Sequence, residues 1–196
     1  MSSKIEICNF ALQHTGSDRT INSLNEDSKE AKLCARHYNN EVRQLLSSFG
    51  WSFAKRRTLL AQLENNNWEE RYQFKYALPN DILKVLRIIP RQDFRYSEYK
   101  VPYNISGSFI FTDINPCALE YIADIANPSE YPVYFVNALA LKLAAIIAIN
   151  LTGDPDQRQR LMQMASQAMI TARAHDANQE HLSWTDDIPG YVRDRY

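Results

Sequence analysis

Cys34 and His37 stand three residues apart in a helical stretch, a spacing that turns both side chains to one face and could begin a metal site. A structural zinc normally takes four ligands. The other thiols and imidazoles, Cys8, Cys117, His14, His175 and His181, supply no second pair at ligand spacing, so no metal is expected. The three cysteines are widely spaced with no CxxC, and they read as reduced, buried thiols of an intracellular protein. No G-x-S-x-G elbow presents a serine nucleophile. Neither G-x-x-x-x-G-K-[ST] nor G-x-G-x-x-G occurs, and five glycines leave little with which to cradle a phosphate. Glu64, Glu69 and Glu70 could pair as the acid and base of a glycosidase, but their spacing is unspecific and a solvated surface is the better reading. Lys55-Arg56-Arg57 is the one basic cluster. It could touch phosphates, or form a solvated face that pairs with acidic groups of another subunit. A chain without a catalytic constellation, cofactor or metal is the expectation.

Composition sets the frame around these residues. The chain has 196 residues, 45% of them hydrophobic and 23% charged, as in an ordinary soluble domain. A net charge of −1 argues against a dedicated nucleic-acid binder and leaves brief contact with DNA open. Met1-Ser2-Ser3-Lys4-Ile5-Glu6 lacks the pattern of a signal peptide. The longest apolar stretch, 133–151, carries Asn137, Lys142 and Asn150, so it is expected to be a core helix and not a membrane span.

The elements read as helices, then strands, then helices. Ser3 and Glu6 have capping-box spacing and open a first helix with Ile5, Cys8 and Leu12 on one face, stopped by Gly16. Ile21 and Leu24 anchor the loop that follows. Asp27 and Glu30 repeat the cap spacing ahead of a second helix that reaches Phe49, after which Trp51 and Phe53 pin its end to the core. From 58 to 127 the period changes to that of strands, with candidates at 72–76, 83–89, 94–101, 109–112 and 119–125. Pro132 suits the start of a third helix, apolar nearly all round, which ends at Thr152-Gly153. Asp154-Pro155 opens a fourth, with Leu161, Met164, Ala165, Ala168 and Ala172 at helical spacing. Residues 181–196 have no helical period and mix Trp184, Ile188, Pro189, Tyr191 and Tyr196 with both signs of charge, as contact surfaces do.

The order of certain residues resembles a phage family. These are Cys8-Asn9-x-Ala11-Leu12, Gly16, Ile21-x-Ser23-Leu24-x-Glu26, Ser28 with Ala31, Cys34, Tyr38 and Arg43. Trp51-x-Phe53-Ala54 with Arg57 and Leu60, Tyr76-x-Leu78-Pro79-x-Asp81, and Ala138-Leu139-Ala140-x-Lys142-Leu143-Ala144 continue the likeness. Together they are similar to tail tubular protein A, the head-to-tail adaptor of short-tailed bacteriophages and related prophages. The resemblance implies a structural virion protein in the tail, present in the host cytoplasm during assembly. It implies a ring, usually dodecameric, between the portal protein and the tail nozzle protein, with DNA passing through the lumen and no membrane partner.

The expected fold is α+β, mainly α. Residues 1–57 and 128–180 form an antiparallel helical bundle, 58–127 an inserted small antiparallel β region, and 181–196 a C-terminal arm. Lys55, Arg56 and Arg57 become candidates for contact with the DNA channel or a neighbouring subunit. The arm is expected to bind the portal or a neighbouring subunit, with Trp184, Ile188 and Tyr191 as anchors and Asp187 and Arg193 fixing register. The alternative is that it folds back over its own bundle. Two other classes stand beside the adaptor: a tail-associated cell-wall hydrolase, and a bacterial regulatory or DNA-binding module.

Overall fold

The computed structural model describes residues 2–65, 71–90 and 101–179. Helix α1, Lys4–His14, begins at the capping box: Glu6 N–H donates to Ser3 Oγ at 3.1 Å and Ser3 N–H to Glu6 Oε2 at 3.2 Å. It closes at Thr15, after which Gly16 takes the left-handed conformation. The loop that follows is tied to α1 by Asn9, whose amide donates to Ile21 O and accepts from Ile21 N–H, and Ile21 is buried. Helix α2, Lys29–Ser48, is capped by Ser28, which accepts from Ala31 N–H at 3.2 Å. Ser28, not the expected Asp27, is therefore the cap. The Asp27 carboxylate pairs with Lys32 instead.

The other two helices among the described residues are α3, Val133–Thr152, and α4, Pro155–Gln179. Gly153 in the left-handed conformation ends the first, and Asp154 caps the second by accepting from Asp156 N–H at 2.9 Å. Helix α3 buries Phe135, Ala138, Leu139, Leu143, Ala144 and Ile147 and touches α1, α2 and α4. It is long and apolar enough to cross a membrane, and here it is the core of the helical layer. Its central Lys142 reaches the buried Glu41 of α2 at 3.1 Å.

Between α2 and α3 lie seven strands among the described residues: β1 Lys55–Leu59, β2 Gln62–Leu63, β3 Phe74–Ala77, β4 Ile82–Pro90, β5 Tyr103–Ser106, β6 Phe109–Thr112 and β7 Cys117–Ala123. They form two antiparallel sheets, ordered β1-β7-β4 and β2-β3-β6-β5. The central β7 is buried at every residue.

This corrects the expected fold. The described residues form an α+β fold of four helices and two sheets, not a mainly α bundle with a minor β insertion. The physical reason is that the three-stranded sheet is part of the main core. Leu119, Ile122 and Ala123 of β7 and Ile88 of β4 join the same buried cluster as α1, α2 and α3. Strand β1 also begins at Lys55, straight after the aromatic turn and ahead of the expected boundary. The candidate at 94–101 falls largely outside the described residues, while β1, β2 and β5 carry no readable alternation of their own.

Candidate interaction surface

The residues singled out for chemistry are scattered. Cys8 and Cys34 meet in the core between α1 and α2, both fully buried. Their mutual hydrogen bond, with burial added, pushes the Cys8 thiol far up and leaves Cys34 the more acidic of the two. Cys117 is buried in β7, and its thiol is raised to about 11 by desolvation. His37 is half-buried on α2. Among the described residues, no three His, Cys, Asp or Glu side chains converge as a metal site would require. Glu64 is exposed, whereas Glu69 and Glu70 lie outside the described residues.

One serine, one histidine and one aspartate do approach each other at the end of α4. Asp176, almost fully buried, accepts from Ser52 N–H and Ser52 Oγ–H at 2.8 Å and from Tyr134 Oη–H at 2.7 Å. A nucleophilic triad needs the imidazole between serine and carboxylate. Here the serine donates directly to the carboxylate, and His175 instead stacks on the Tyr134 ring at 6.2 Å. The cluster is a clasp that fastens α4 to the turn after α2 and to the start of α3. Burial first, and the Asp176 hydrogen bond second, raise the Tyr134 hydroxyl to about 12.

The basic run divides because successive strand residues face opposite sides. Arg57 donates from Nε to Glu120 Oε1 at 2.7 Å, and Arg87 of β4 donates to Glu120 Oε2 at the same distance. All three sit directly opposite one another across β1, β7 and β4. Burial alone would raise the Glu120 carboxyl, but the two guanidinium groups outweigh it and hold it below the ordinary value. Burial lowers the Lys55 ammonium. Arg56 turns away to Phe53 O and to Glu130. The sequence offered Lys55, Arg56 and Arg57 as one patch. The folded cluster keeps Arg57 and adds Arg87 and Glu120, which lie 30 and 63 residues further along the chain.

The remaining candidate is α4 itself. Only Leu161, Ala172 and Asp176 are buried along its length. Met162, Met164 and Ile170 are 51%, 49% and 61% exposed, and Val133 at the start of α3 is 85% exposed. A groove of about 900 Å³ lies between α1, α3 and α4, walled by Phe10, Val133, Val136, Ala140, Met164 and Ala168, with Tyr134 and His175 also lining it. A second, of about 620 Å³, lies on the α2 side of α4 against Ile146, Met162, Met169 and Ile170, with Glu41 and Arg173 among its polar lining. Of the apolar residues at helical spacing on α4, Leu161 and Ala172 are buried, whereas Met164 lines the first groove. Trp184, Asp187, Ile188, Tyr191 and Arg193 lie outside the described residues.

Fold and surface together define an α+β protein in which α4 presents exposed apolar side chains on both flanks. No protein-family model matches the chain, and no curated protein does.

Proposed function

We propose that this chain is a non-enzymatic structural subunit that works by assembling with other proteins. It acts as a head-to-tail adaptor of a short-tailed phage or prophage, and copies form a ring joining the portal protein to the tail nozzle protein around the DNA exit channel. The observation that carries the assembly reading is α4, a long helix fastened near its two ends and open along both sides, with Met162, Met164 and Ile170 about half exposed. Clusters of exposed large apolar side chains beside open grooves are a mark of protein contact. The particular assembly follows from the resemblance in the order of packing and capping residues described above. In a ring of this kind each subunit presents one face to a different face of the next.

Electron microscopy of the purified protein, alone and mixed with the portal of the same phage, tests the reading. Rings seated on the portal are the expected result. Absence of portal binding, or clearing of cell wall in a zymogram, would overturn it.

A further inference from the structure

We propose that the groove on the α2 side of α4 receives an amphipathic helix of a partner protein, and that Arg173 binds an acidic side chain at the end of that helix's apolar face. That the partner is a protein rests on the assembly reading above. Its shape and charge follow from the groove.

The charges in the groove do not balance. Its lining holds one acid, Glu41, and two bases, Lys142 and Arg173. Glu41 of α2 is 3% exposed, and Lys142 reaches it at 3.1 Å while also donating to Gln44 Oε1 at 3.1 Å. That pair is satisfied within the fold. Arg173 is half-buried, and its Nε is buried with no hydrogen-bond partner among the described residues. Its guanidinium carbon lies 5.6 Å from the centre of the Phe49 ring, a cation–π contact that consumes no N–H. A partly desolvated cation without an anion is costly, and a carboxylate is the group that meets a guanidinium in two parallel N–H···O bonds.

The walls describe the rest of the partner. Ala138 and Ile146 of α3 and Met162, Met169 and Ile170 of α4 line about 620 Å³, and Met162 and Ile170 are more than half exposed. Covering such side chains is favourable in proportion to the apolar area removed from water, and methionine adapts its shape to what it meets. On α4 the lining residues recur every three or four positions and form one stripe of the helix. From Met162 to Arg173 is eleven residues, roughly 17 Å at 1.5 Å per residue, or about three turns. Every lining residue belongs to α2, α3 or α4, so the groove offers no strand edge. An extended segment would bury its own N–H and C=O groups unpaired there. A helix satisfies those groups internally and presents anchors at i, i+3 and i+7. Arg173 stands at one end of the stripe, which places the acid at one end of the partner's apolar face. The groove lined by Phe10, Val133 and Met164 has no charged residue in its lining among the described residues, so nothing there indicates what covers it.

The probe is a set of three helical model peptides that share leucines at i, i+3 and i+7. One turn beyond, they carry glutamate, glutamine or lysine. Fluorescence anisotropy with the intact chain is expected to rank them in that order, the first about tenfold tighter than the second. Arg173→Gln should abolish the ranking and leave the glutamine peptide bound as before. Arg173→Lys keeps the charge and loses the fork, and should retain part of the ranking. Ile170→Ser should weaken all three peptides, because it removes wall and not charge. Equal binding of the three peptides to the intact chain, binding of none, or a glutamate preference that survives Arg173→Gln would overturn the proposal. Sedimentation with the portal separates this proposal from the adaptor reading. A glutamate preference without portal binding would strike the adaptor assignment and leave the groove's specificity standing. Portal binding without the preference would do the reverse.

Discussion

Strand β7 and helix α4 are secured in opposite ways. Strand β7 has partners on both edges and cover on both faces, and all seven of its residues are buried. Helix α4 has 25 residues, of which three are buried; it packs along α3, is tied at its first turn by Gln157 Nε2–H donating to Thr15 O at 2.9 Å, and ends at the Ser52–Asp176–Tyr134 clasp. The difference separates two kinds of work. Much of the buried core gathers on α3 and β7, whereas α4 is held in place with most of its side chains left in solvent. Perturbing the first should abolish the protein, and perturbing the second should change what it binds.

The largest effect is expected in α3. Leu143 is fully buried where α3 packs among the other helices. Leu143→Asp places an unpaired charge there, at a cost comparable to the whole stability of a domain. Soluble expression of that variant, with a normal circular dichroism spectrum, would show that α3 is not the centre of the core.

The clasp comes next. Asp176→Ala removes the acceptor from Ser52 N–H, Ser52 Oγ–H and Tyr134 Oη–H while all remain partly buried. Leaving such donors unsatisfied costs about 3 kcal/mol, read as a shift in the urea midpoint. Hydrogen exchange in 170–179 should quicken far more than in α3. A loss below about 1 kcal/mol would mean that the apolar seam at Leu161 and Ala172 holds α4 without help.

The sheet answers to pH. The carboxyl of Glu120 is held below its ordinary value of 4.5 by Arg57 and Arg87, after burial is overcome. A group whose pKa is depressed by folding contributes stability that is present above the unfolded value and is lost as pH falls through the folded one. Glu120→Gln should therefore destabilise the protein at pH 7 and flatten the decline in stability below about pH 4.5. Chemical melts from pH 7 to 3 measure it, and an unchanged acid limb would show that the two arginines do not hold the charge.

Helix ends were legible because their chemistry is local. Ser3-x-x-Glu6, Thr152-Gly153 and Asp154-Pro155 each bring the needed side chain within a few residues of the backbone group it satisfies. Strand β1 was not legible, because Lys55-Arg56-Arg57-Thr58 has no apolar alternation and becomes a strand by pairing with β7. Glu120 reads as one acid among many until register puts it opposite both Arg57 and Arg87. Leu161, Met164, Ala165, Ala168 and Ala172 recur at helical spacing, yet only Leu161 and Ala172 are buried. On α4 the spacing is helical, but α3 is the one helix packed along it, so small alanines take the seam and Met164 is left at a groove. Periodicity gives the face of a helix without saying how much of that face finds a partner.

The smallest effect on stability should be the largest on assembly. Met162 and Ile170 are more than half exposed and lie on the α2 side of α4, away from the groove lined by Phe10, Val133 and Met164. Replacing both by serine removes little buried area, so stability should change by less than about 0.5 kcal/mol per site. If this flank meets another protein in the assembled state, the same change removes apolar area from the contact and should weaken ring formation on the portal at least tenfold in the concentration required, which corresponds to about 1.4 kcal/mol. Sedimentation of subunit with portal over a concentration series measures it. Unchanged assembly with unchanged Tm would leave this flank as ordinary surface and shift the subunit contact to another face.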